Sequence, residues 1–333
     1  MEHPDHFDVR RFAARIRRRS LKAAARLLPG RARVDEPKGA TFGLEDIERV
    51  RQTYFETGGA PGSAWDPLRH AHLRLPDWFR HGLDPYGEEY LAQQHQLWRL
   101  VAGVDREYEV EQDEKEADWG PVDPVRAPGF YVRRDAAAIP SASDHVIASG
   151  MLLKHCGLHA GDRALEYGAG FGQTALTLAR LGVNVDTVDV SATFCSFVNQ
   201  QAEFFRVPLH AFQGRFGEAP RPGVRYKLVW FYESFHHCVD FQRVVRILPD
   251  LLEPGGRVIL GGEPIVEQPY AAVPYPWGLR LHSEVAAVVR QQRWFELGFT
   301  ESFLFDLFGR AGFKVERIDC EPTLFGRLYL CRR

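Results

Sequence analysis

The chain has 333 residues, a formal net charge of -2, 45% hydrophobic side chains and 26% charged ones, a composition typical of globular proteins and unlike that of disordered or fibrous chains. No apolar run approaches the roughly 18 residues of a transmembrane helix. The N-terminus lacks the apolar core of a signal peptide, and the five cysteines form no C-x-x-C pair that would indicate a disulfide framework or a zinc site. We therefore expect a cytoplasmic protein, long enough for two domains or for one large domain with an appendage.

The first predicted element is a basic amphipathic leader helix within residues 1–35. Residues 10–33 carry ten basic side chains and no acidic one, and apolar side chains recur near helical spacing over residues 10–28, until Pro29 and Gly30 end the pattern. The segment is either a solvated leader or a helix that lies on the anionic inner face of a membrane. Because no nucleic-acid-binding module accompanies it, we expect no nucleic-acid partner.

Residues 36–139 are predicted to form a mostly helical cap that takes part in substrate binding. Glycine and proline pairs interrupt short helices there, and the best helical pattern runs from Glu88 to Val101. The acidic run from Glu109 to Asp118 is most simply a solvated loop. Four of the seven tryptophans lie in this part, where they either pack in a core or stack on a substrate: Trp65, Trp78, Trp98 and Trp119.

Over residues 140–333, helical and strand patterns alternate. The first helix is predicted over Ser143–Leu158, with Ser141 or Ser143 as its N-cap. Strands are predicted at Arg163–Tyr167, Val183–Asp189, Leu209–Gly214, Leu228–Tyr232 and Arg257–Gly262, and helices at Thr174–Leu181, Ser191–Phe205 and Asp240–Leu252. Such alternation indicates an α/β fold, a Rossmann-like and mainly parallel sheet with helices on both faces.

Two further strands follow a helix predicted over Glu301–Ala311. They span Lys314–Asp319 and Leu324–Cys331, and the turn between them is too short for the crossover that parallel neighbours need. We expect an antiparallel hairpin at one edge, which brings the sheet to seven strands. The insertion at residues 265–298, after the fifth strand, is expected to form a lid over the edge where the parallel strands end.

A glycine-rich turn follows the first strand, at the edge of the sheet where ligands of open α/β folds bind. Its sequence is Glu166-Tyr167-Gly168-Ala169-Gly170-Phe171-Gly172, and its glycines let the backbone turn sharply and approach a ligand. Gln173 stands where a dinucleotide-binding fingerprint has its third glycine, which argues against NAD. The second strand ends at Asp189, whose carboxylate can accept hydrogen bonds from a ribose, cap the next helix, or do both.

These residues resemble the class I S-adenosylmethionine-dependent methyltransferases. The resemblance lies in E-x-G-x-G-x-G after one strand, an acid closing the next, and Leu251-Leu252-Glu253-Pro254-Gly255-Gly256-Arg257-Val258 leading into a fifth strand. It covers residues 140–333 and implies a seven-stranded sheet with its last strand inserted antiparallel. It also implies S-adenosylmethionine as the cofactor, with the methionine end and the ribose held by Glu166, Gly168, Ala169, Gly170, Gly172, Asp189 and Val190.

The ends of the third and fourth strands complete the cofactor site that the resemblance implies. Members of the family often carry an acid near the adenine amine after the third strand, but Arg215 stands at that position here. We expect Gly214, Arg215 and Phe216 to lie at the cofactor, with Phe216 or a backbone group, such as that of Gly214, in contact with the adenine. Glu233, at the end of the fourth strand, is the remaining cofactor contact that we predict.

Two adjacent histidines follow the fourth strand, where the transferred methyl group would lie. Methyl transfer to a hydroxyl requires alignment and removal of a proton, and histidine is suited to accept a proton at neutral pH. We predict His237 as the general base and His236 as the second candidate, with a purely structural histidine as the alternative. Because adjacent side chains rarely converge on one ion, we expect no metal, and the alternative metal pair would be Asp240 and Glu263.

Aromatic and basic side chains of the insertion indicate how an acceptor could be held. Rings stack on sugars or phenols, and guanidinium groups bind oxyanions in bidentate fashion, although packing on the core would explain the rings equally well. We predict Tyr270, Trp277 and Arg280 as substrate contacts and O-methylation of a sugar hydroxyl, as in polysaccharide biosynthesis. A small aromatic or polyketide hydroxyl is the alternative acceptor, and a cofactor-binding protein without catalysis is the alternative outside the enzymes.

Overall fold

The computed structural model describes residues 40–116, 121–133 and 137–333. The basic helix predicted at residues 10–28 and Trp119 lie outside these ranges. All of the described residues belong to one unit, Ala40–Arg333. None of the helices in these ranges combines the length and the apolar character that a bilayer crossing requires.

Helices and strands alternate along most of this part of the chain. The helices are α1 (Ile47–Thr57), α2 (Glu88–Ala102), α3 (Val110–Asp113), α4 (Ala138–His155), α5 (Gln173–Arg180), α6 (Ala192–Phe205), α7 (Phe241–Leu251), α8 (Ser283–Gln292) and α9 (Glu301–Arg310). The strands are β1 (Thr41–Phe42), β2 (His72–Leu73), β3 (Arg163–Tyr167), β4 (Asn184–Asp189), β5 (Leu209–Gln213), β6 (Tyr226–Tyr232), β7 (Leu252–Gly261), β8 (Ile265–Val266), β9 (Trp277–Leu279), β10 (Leu297–Thr300), β11 (Lys314–Ile318) and β12 (Leu328–Arg332).

Seven of these strands form one sheet, in the order β11-β12-β7-β6-β3-β4-β5. The five strands from β7 to β5 are parallel, whereas β12 pairs antiparallel with both β7 and β11. The predicted fold class is confirmed: a Rossmann-like, mainly parallel seven-stranded sheet with the expected hairpin at one edge. The strand order reverses between β3 and β6, and the crevice at such a reversal is where ligands bind in open α/β sheets.

Both faces of the sheet are covered by helices, because side chains of the central strands are buried on both sides. Along β6, Leu228 and Trp230 belong to a hydrophobic cluster shared with α4, α5 and α6. Val229 and Phe231, which alternate with them, belong to the opposite cluster, shared with α7 and α9. This burial on both faces explains why the strand reads as a continuous apolar run.

Three elements begin four or five residues from the predicted position. β7 begins at Leu252 rather than at Arg257. α4 spans Ala138–His155 rather than Ser143–Leu158, and no side chain caps its first turn. Pro140 is tolerated inside this helix because, in the first turn, the N–H that proline lacks has no helical partner. β12 begins at Leu328 rather than four residues earlier, because residues 324–326 form a 3₁₀ turn.

The insertion predicted at residues 265–298 contains α8 and most of a second, three-stranded sheet with the order β8-β10-β9. It packs against the N-terminal region, where the Tyr90 hydroxyl donates to the Trp277 carbonyl oxygen at 2.5 Å. Side chains from residues 42–102, from the insertion and from one face of the large sheet share one hydrophobic cluster. The division of the chain into cap, core and lid stays a prediction.

Candidate active site

A cavity of about 820 Å³ lies at the carboxyl ends of β3, β4 and β6. Its walls come from these strand ends, from residues 91–116 of the N-terminal region, and from the insertion. This volume is in the range of small-molecule binding sites. Ten residues predicted from the sequence line the cavity: Gly168, Gly170, Asp189, Val190, Arg215, Phe216, Glu233, His236, His237 and Arg280.

The glycine turn presents bare backbone to the cavity. Gly168 and Gly170 have φ angles of 68° and 52°, which residues with a Cβ rarely adopt. A Cβ added to Gly168 would lie 2.6 Å from the Cβ of Ser234, so a side chain would also collide there. Among the described residues, no atom outside the adjoining chain lies within 4 Å of a Cβ built on Gly170. A ligand can therefore approach the backbone closely at Gly170.

Four predicted cofactor contacts support this turn from outside the cavity instead of lining it. Glu166 is buried and accepts a hydrogen bond from Trp230 Nε1 at 2.7 Å, and burial raises the pKa of its carboxyl to about 8. Gly172 packs against α6, where an added Cβ would lie 2.7 Å from a methyl group of Val198. The Ala169 carbonyl oxygen accepts the Gly172 N–H at 2.8 Å, and the Gly214 N–H donates to the Asp189 carbonyl oxygen at 3.0 Å. Contacts of these residues with the cofactor stay predictions.

Asp189 lines the cavity where the sequence predicted a ribose-binding acid, and it also braces the turn. Its Oδ2 accepts the Gly170 N–H at 3.0 Å, and its Oδ1 accepts the Ser191 N–H at 2.9 Å. Burial raises the pKa of its carboxyl despite these two bonds. Because a carboxylate oxygen can accept more than one hydrogen bond, room for a ligand hydroxyl remains, and ribose binding stays a prediction.

The substitution Asp189→Ala is expected to weaken binding of S-adenosylhomocysteine by about 1 to 3 kcal/mol, because charge-assisted hydrogen bonds are lost. Titration calorimetry on the folded variant measures this change. Asp186→Asn is the matched control, because Asp186 is buried on the same strand but accepts hydrogen bonds from Arg221 and Tyr226, away from the cavity. Unchanged affinity in the Asp189 variant would remove the ribose assignment.

The acidic run that the sequence suggested as a solvated loop also forms a wall of the cavity, so the prediction holds only for its exposed members, such as Glu109 and Glu111. We call residues 109–116 the acidic wall. The guanidinium of Arg215 binds the Glu111 carboxylate through two nitrogens, with an Nη2 to Oε2 distance of 2.6 Å. Trp294 Nε1 donates to the Lys115 carbonyl oxygen at 2.7 Å. Asp113 pairs with the nearby Arg106, but the charge of Glu111 is paired far along the sequence, which local composition could not reveal.

Phe216 and Glu233 both line the cavity. The Phe216 ring packs edge-on against the rings of Tyr167 and Phe231. Glu233 has a φ of 49°, an uncommon value for a residue with a side chain, and strain of this kind is concentrated at functional sites. Their contacts with the adenine and with the methionine end stay predictions.

His145 of α4 is a cavity residue that the sequence did not reveal, because nothing distinguishes it from the other polar residues of its helix. Its Nδ1 lies 2.9 Å from the Tyr232 hydroxyl and 3.2 Å from Glu233 Oε2. The hydrogen bond to Glu233 raises the pKa of His145. His145 and Glu233 therefore form a polar pair at the end of β6.

The two histidines predicted as base candidates both line the cavity, in different electrostatic surroundings. His236 Nδ1 lies 2.8 Å from Glu263 Oε2, and the Glu263 carboxylate also accepts the backbone N–H groups of Ser234, Phe235 and His236. Burial and the adjacent charge of His237 lower the pKa of His236 well below its ordinary value. His236 is therefore neutral at pH 7.

His237 instead lies between carboxylates of the acidic wall and of the insertion. Its Nδ1 is 3.0 Å from Glu114 Oε2, and its Nε2 is 4.0 Å from Glu296 Oε1. Burial opposes a charge on the ring, but Glu114 and Glu296 outweigh it and raise the pKa of His237 to about 9. His237 is therefore protonated at pH 7, and the sequence missed both carboxylates because neither follows a strand of the large sheet.

The alternative metal pair, Asp240 and Glu263, is not formed. Glu263 is buried against backbone N–H groups, whereas Asp240 is half exposed and pairs with Arg243. One other group in the described part of the chain brings possible ligand atoms within 4.8 Å of one another: His236, His237 and Glu296. In that group the Arg280 guanidinium already binds the Glu296 carboxylate. Burial would raise the pKa of Glu296, but the charge of Arg280 helps to lower it to about 2. The absence of a metal stays a prediction.

Two of the three predicted substrate contacts lie away from the cavity. Trp277 is 0% exposed and packs against Phe241. Its Nε1 donates to the Pro85 carbonyl oxygen at 2.7 Å. We therefore reassign Trp277 to the hydrophobic core. The Tyr270 hydroxyl lies 2.6 Å from His282 Nε2, also outside the cavity lining. Their aromatic character reflects packing of the insertion, which was the other explanation that the sequence allowed.

Comparison with known proteins agrees with a methyltransferase core. Residues 165–260 match a family model described as a methyltransferase domain. The chain is 32% identical over 138 residues to 27-O-demethylrifamycin SV methyltransferase of Amycolatopsis mediterranei strain S699, a match that covers 38% of this chain and 45% of that protein. The chain thus spans less than half the length of this relative.

Among solved structures, an S-adenosylmethionine-dependent methyltransferase from Mesorhizobium loti matches with 18% identity and a TM-score of 0.45, over 59% of this chain and 100% of that chain. The 1,6-didemethyltoxoflavin-N1-methyltransferase of Burkholderia thailandensis matches with 19% identity and a TM-score of 0.42, over 58% and 80% of the two chains. The fold assignment rests on the strand order of the sheet, and these scores add nothing to it.

The residues of the cavity fit a sulfonium nucleoside. The glycine turn leaves open space against bare backbone at Gly170, and Asp189 offers a buried carboxylate beside it. Together with the matched methyltransferase domain, these features support S-adenosylmethionine as the cofactor.

Proposed function

We propose that this chain is an S-adenosylmethionine-dependent O-methyltransferase that acts on a hydroxyl group of a small organic molecule. The observation that carries the proposal is the contact of His236 Nδ1 with the buried carboxyl of Glu263, at 2.8 Å, in the same cavity as the glycine turn and Asp189. An orienting carboxylate, a neutral imidazole and a cofactor site are the parts that methylation of a hydroxyl needs.

His236 is the group to which we assign removal of the hydroxyl proton. Bound S-adenosylmethionine supplies an electrophilic methyl group, so the chain has to align the acceptor oxygen and take up its proton. We propose the tautomer in which Nδ1–H donates to Glu263, because the three backbone N–H groups that Glu263 accepts favour its ionised form; the lone pair of Nε2 is then left to accept that proton. Because the His236 pKa is lowered, the ring is in the form that accepts a proton at neutral pH.

This assignment reverses the order of the two histidines predicted from the sequence. His237 has a pKa raised to about 9, so at pH 7 it already carries the proton that a base would have to accept. A protonated His237 can still donate a hydrogen bond to an oxygen of the acceptor. We therefore propose His236 as the base and His237 as a charged neighbour that keeps His236 neutral.

The acceptor that we propose is a hydroxyl on a largely apolar organic molecule, such as an aromatic or polyketide metabolite, rather than a glycan. Of the three groups expected to hold a sugar, two lie outside the cavity, and the third, Arg280, is bound to Glu296. The cavity has apolar or aromatic walls next to the histidines, formed by Leu91, Tyr108, Val239 and Trp294. The relative from Amycolatopsis, by its name, methylates an oxygen of a rifamycin, which supports this choice.

Contact with a membrane and a cytoplasmic location stay proposals that this site does not bear on. Membrane contact depends on residues 10–28, which lie outside the described ranges, and the cytoplasmic location rests on the sequence pattern alone. A protein that binds the cofactor without catalysis also remains as the alternative outside the enzymes.

Calorimetry with S-adenosylmethionine and S-adenosylhomocysteine, followed by incubation with methyl-labelled cofactor, tests the proposal. The acceptors offered are a pool of apolar hydroxylated metabolites and, in parallel, a glycan pool. We expect saturable cofactor binding and label transferred to the apolar pool, in alkali-stable ether linkage. Failure to bind either nucleoside would end the proposal. Binding without transfer to any pool would favour the non-catalytic alternative, and transfer to glycans alone would restore the sugar acceptor.

A further inference from the structure

We propose that Glu116, at the end of the acidic wall, binds the adenosine part of the cofactor by accepting a hydrogen bond from a ribose hydroxyl or from the adenine amine. This inference rests on the proposed function, because it assigns a further residue to the same cofactor site. It concerns a part of the chain that lies outside the residues matched by the methyltransferase-domain model, 165–260.

The acidic wall is fixed next to the cofactor end of the cavity by contacts on several sides. Glu111 binds Arg215, the residue that stands where related sequences have an acid. Glu114 Oε1 accepts the backbone N–H of Phe295 at 2.8 Å and the Tyr108 hydroxyl at 2.7 Å. These contacts set the position of the residues that follow.

Glu116 is thereby placed on the wall that also carries Asp189. It lines the cavity together with Asp189, Val190 and Ser191. Burial disfavours its charge, but hydrogen bonds from the hydroxyls of Thr193 and Ser191 outweigh burial and lower its pKa. Glu116 is therefore a carboxylate at pH 7, held at the carboxyl end of β4, where the cofactor's ribose is predicted to lie.

The chemistry of this end of the cavity leaves a role for a second carboxylate. Adenosine carries two hydroxyl donors on its ribose and an amine donor on its base. Each oxygen of Asp189 already accepts one backbone N–H, from Gly170 and from Ser191. Arg215 is a donor only, so it cannot accept a hydrogen bond from those groups. Glu116 supplies the acceptor that the position of Arg215 lacks.

The electrostatics of the pair agree with this role. The charge of Glu116 contributes to raising the pKa of Asp189, so the two carboxylates repel each other across the cavity wall. Hydrogen-bond donors placed between them relieve that repulsion, and the hydroxyl and amine groups of adenosine are such donors. A nucleoside that lacks the relevant donor would leave the repulsion in place.

The test is titration calorimetry of the full chain with S-adenosylhomocysteine, comparing the wild type with Glu116→Gln. We expect the affinity of the variant to fall about 10- to 100-fold, the range for loss of a hydrogen bond to a charged group. Glu109→Gln is the matched control, because Glu109 is exposed in the same wall and does not line the cavity. Thermal unfolding of each variant establishes that the fold is retained.

Two kinds of analogue identify the donor: S-inosylhomocysteine, which lacks the amine, and the 2′-deoxyribose and 3′-deoxyribose forms of S-adenosylhomocysteine, each of which lacks one hydroxyl. The wild type should bind the analogue without the relevant donor about 10-fold or more weakly, and Glu116→Gln should lose most of that discrimination. If the folded Glu116→Gln protein binds S-adenosylhomocysteine and all of the analogues as the wild type does, the inference is overturned while the proposed function stands. If the wild type binds none of these nucleosides, the proposed function fails as well.

Discussion

The substitution His236→Ala is expected to lower the rate of methyl transfer by about 10²- to 10⁴-fold, the usual contribution of a general base. The cause is loss of the neutral imidazole that Glu263 orients toward the acceptor hydroxyl. Turnover of an acceptor found with labelled cofactor measures the effect. The affinity for S-adenosylhomocysteine should change little, because the predicted nucleoside contacts lie at the glycine turn and β4. His159→Ala is the control, since the side chain of His159 is 83% exposed.

Two companion variants separate a base from a merely structural histidine. Glu263→Gln keeps the shape of the side chain but no longer favours the tautomer with the proton on Nδ1, so kcat should fall while KM for the acceptor stays similar. His237→Ala should lower the rate of methyl transfer less than His236→Ala does. A folded His236 variant with normal turnover, or a larger loss in the His237 variant, would contradict the assignment.

The substitution Trp277→Ala is expected to lower the free energy of unfolding by about 3 to 5 kcal/mol, because a fully buried indole is replaced by a cavity. The ring packs against Tyr90 and Phe241, and its Nε1 hydrogen bond to Pro85 joins the insertion to the N-terminal region. Urea unfolding followed by circular dichroism measures the loss. It is a large part of the total stability of an ordinary domain.

Less disruptive substitutions test the role of Trp277 in the core even if the alanine variant does not fold. Trp277→Phe retains an aromatic ring and loses the hydrogen bond, so its loss should be clearly smaller. Phe204→Ala, at a ring that is 65% exposed, should change stability by no more than about 0.5 kcal/mol. An alanine variant at Trp277 that is as stable as the wild type would show that this ring does not belong to the core.

The sheet could be predicted from the sequence because its strands are buried on both faces. Runs such as Leu228–Tyr232 are too apolar for a surface and too short for helices, and the short turn between the last two strands excluded a parallel pairing. The residues at strand ends followed from that sheet, which is why Asp189, His236 and the glycine turn were placed together correctly. Their roles in binding and catalysis stay predictions.

The rest of the site comes from parts of the chain whose position depends on tertiary packing. Glu114 and Glu116 belong to a run of charges with no helical or strand period. Glu114 faces His237, and the neighbouring Glu111 binds Arg215, in each case about a hundred or more residues further along the chain. Local composition makes such a run look solvated. Glu296 was missed for the same reason, since only the fold of the insertion brings it to the histidines.

The two aromatic residues of the insertion that were predicted to contact the substrate pack against other parts of the protein instead. Trp277 and Tyr270 suit a sugar site by residue type, but a small three-stranded sheet that packs on a larger domain needs large side chains for its own core. Sequence pattern does not distinguish a ring that faces a ligand from one that faces a neighbouring helix. The burial of Trp277 decides between the two.

The ion pair between Glu111 and Arg215 faces solvent, with 57% and 53% of the two side chains exposed. Dissolved salt screens charges in such a position, whereas it hardly reaches a buried pair such as His236 and Glu263. The ion pair that joins the acidic wall to Arg215 therefore weakens as ionic strength rises. We therefore expect salt to affect the exchange of molecules bound in the cavity more than it affects the contact between His236 and Glu263.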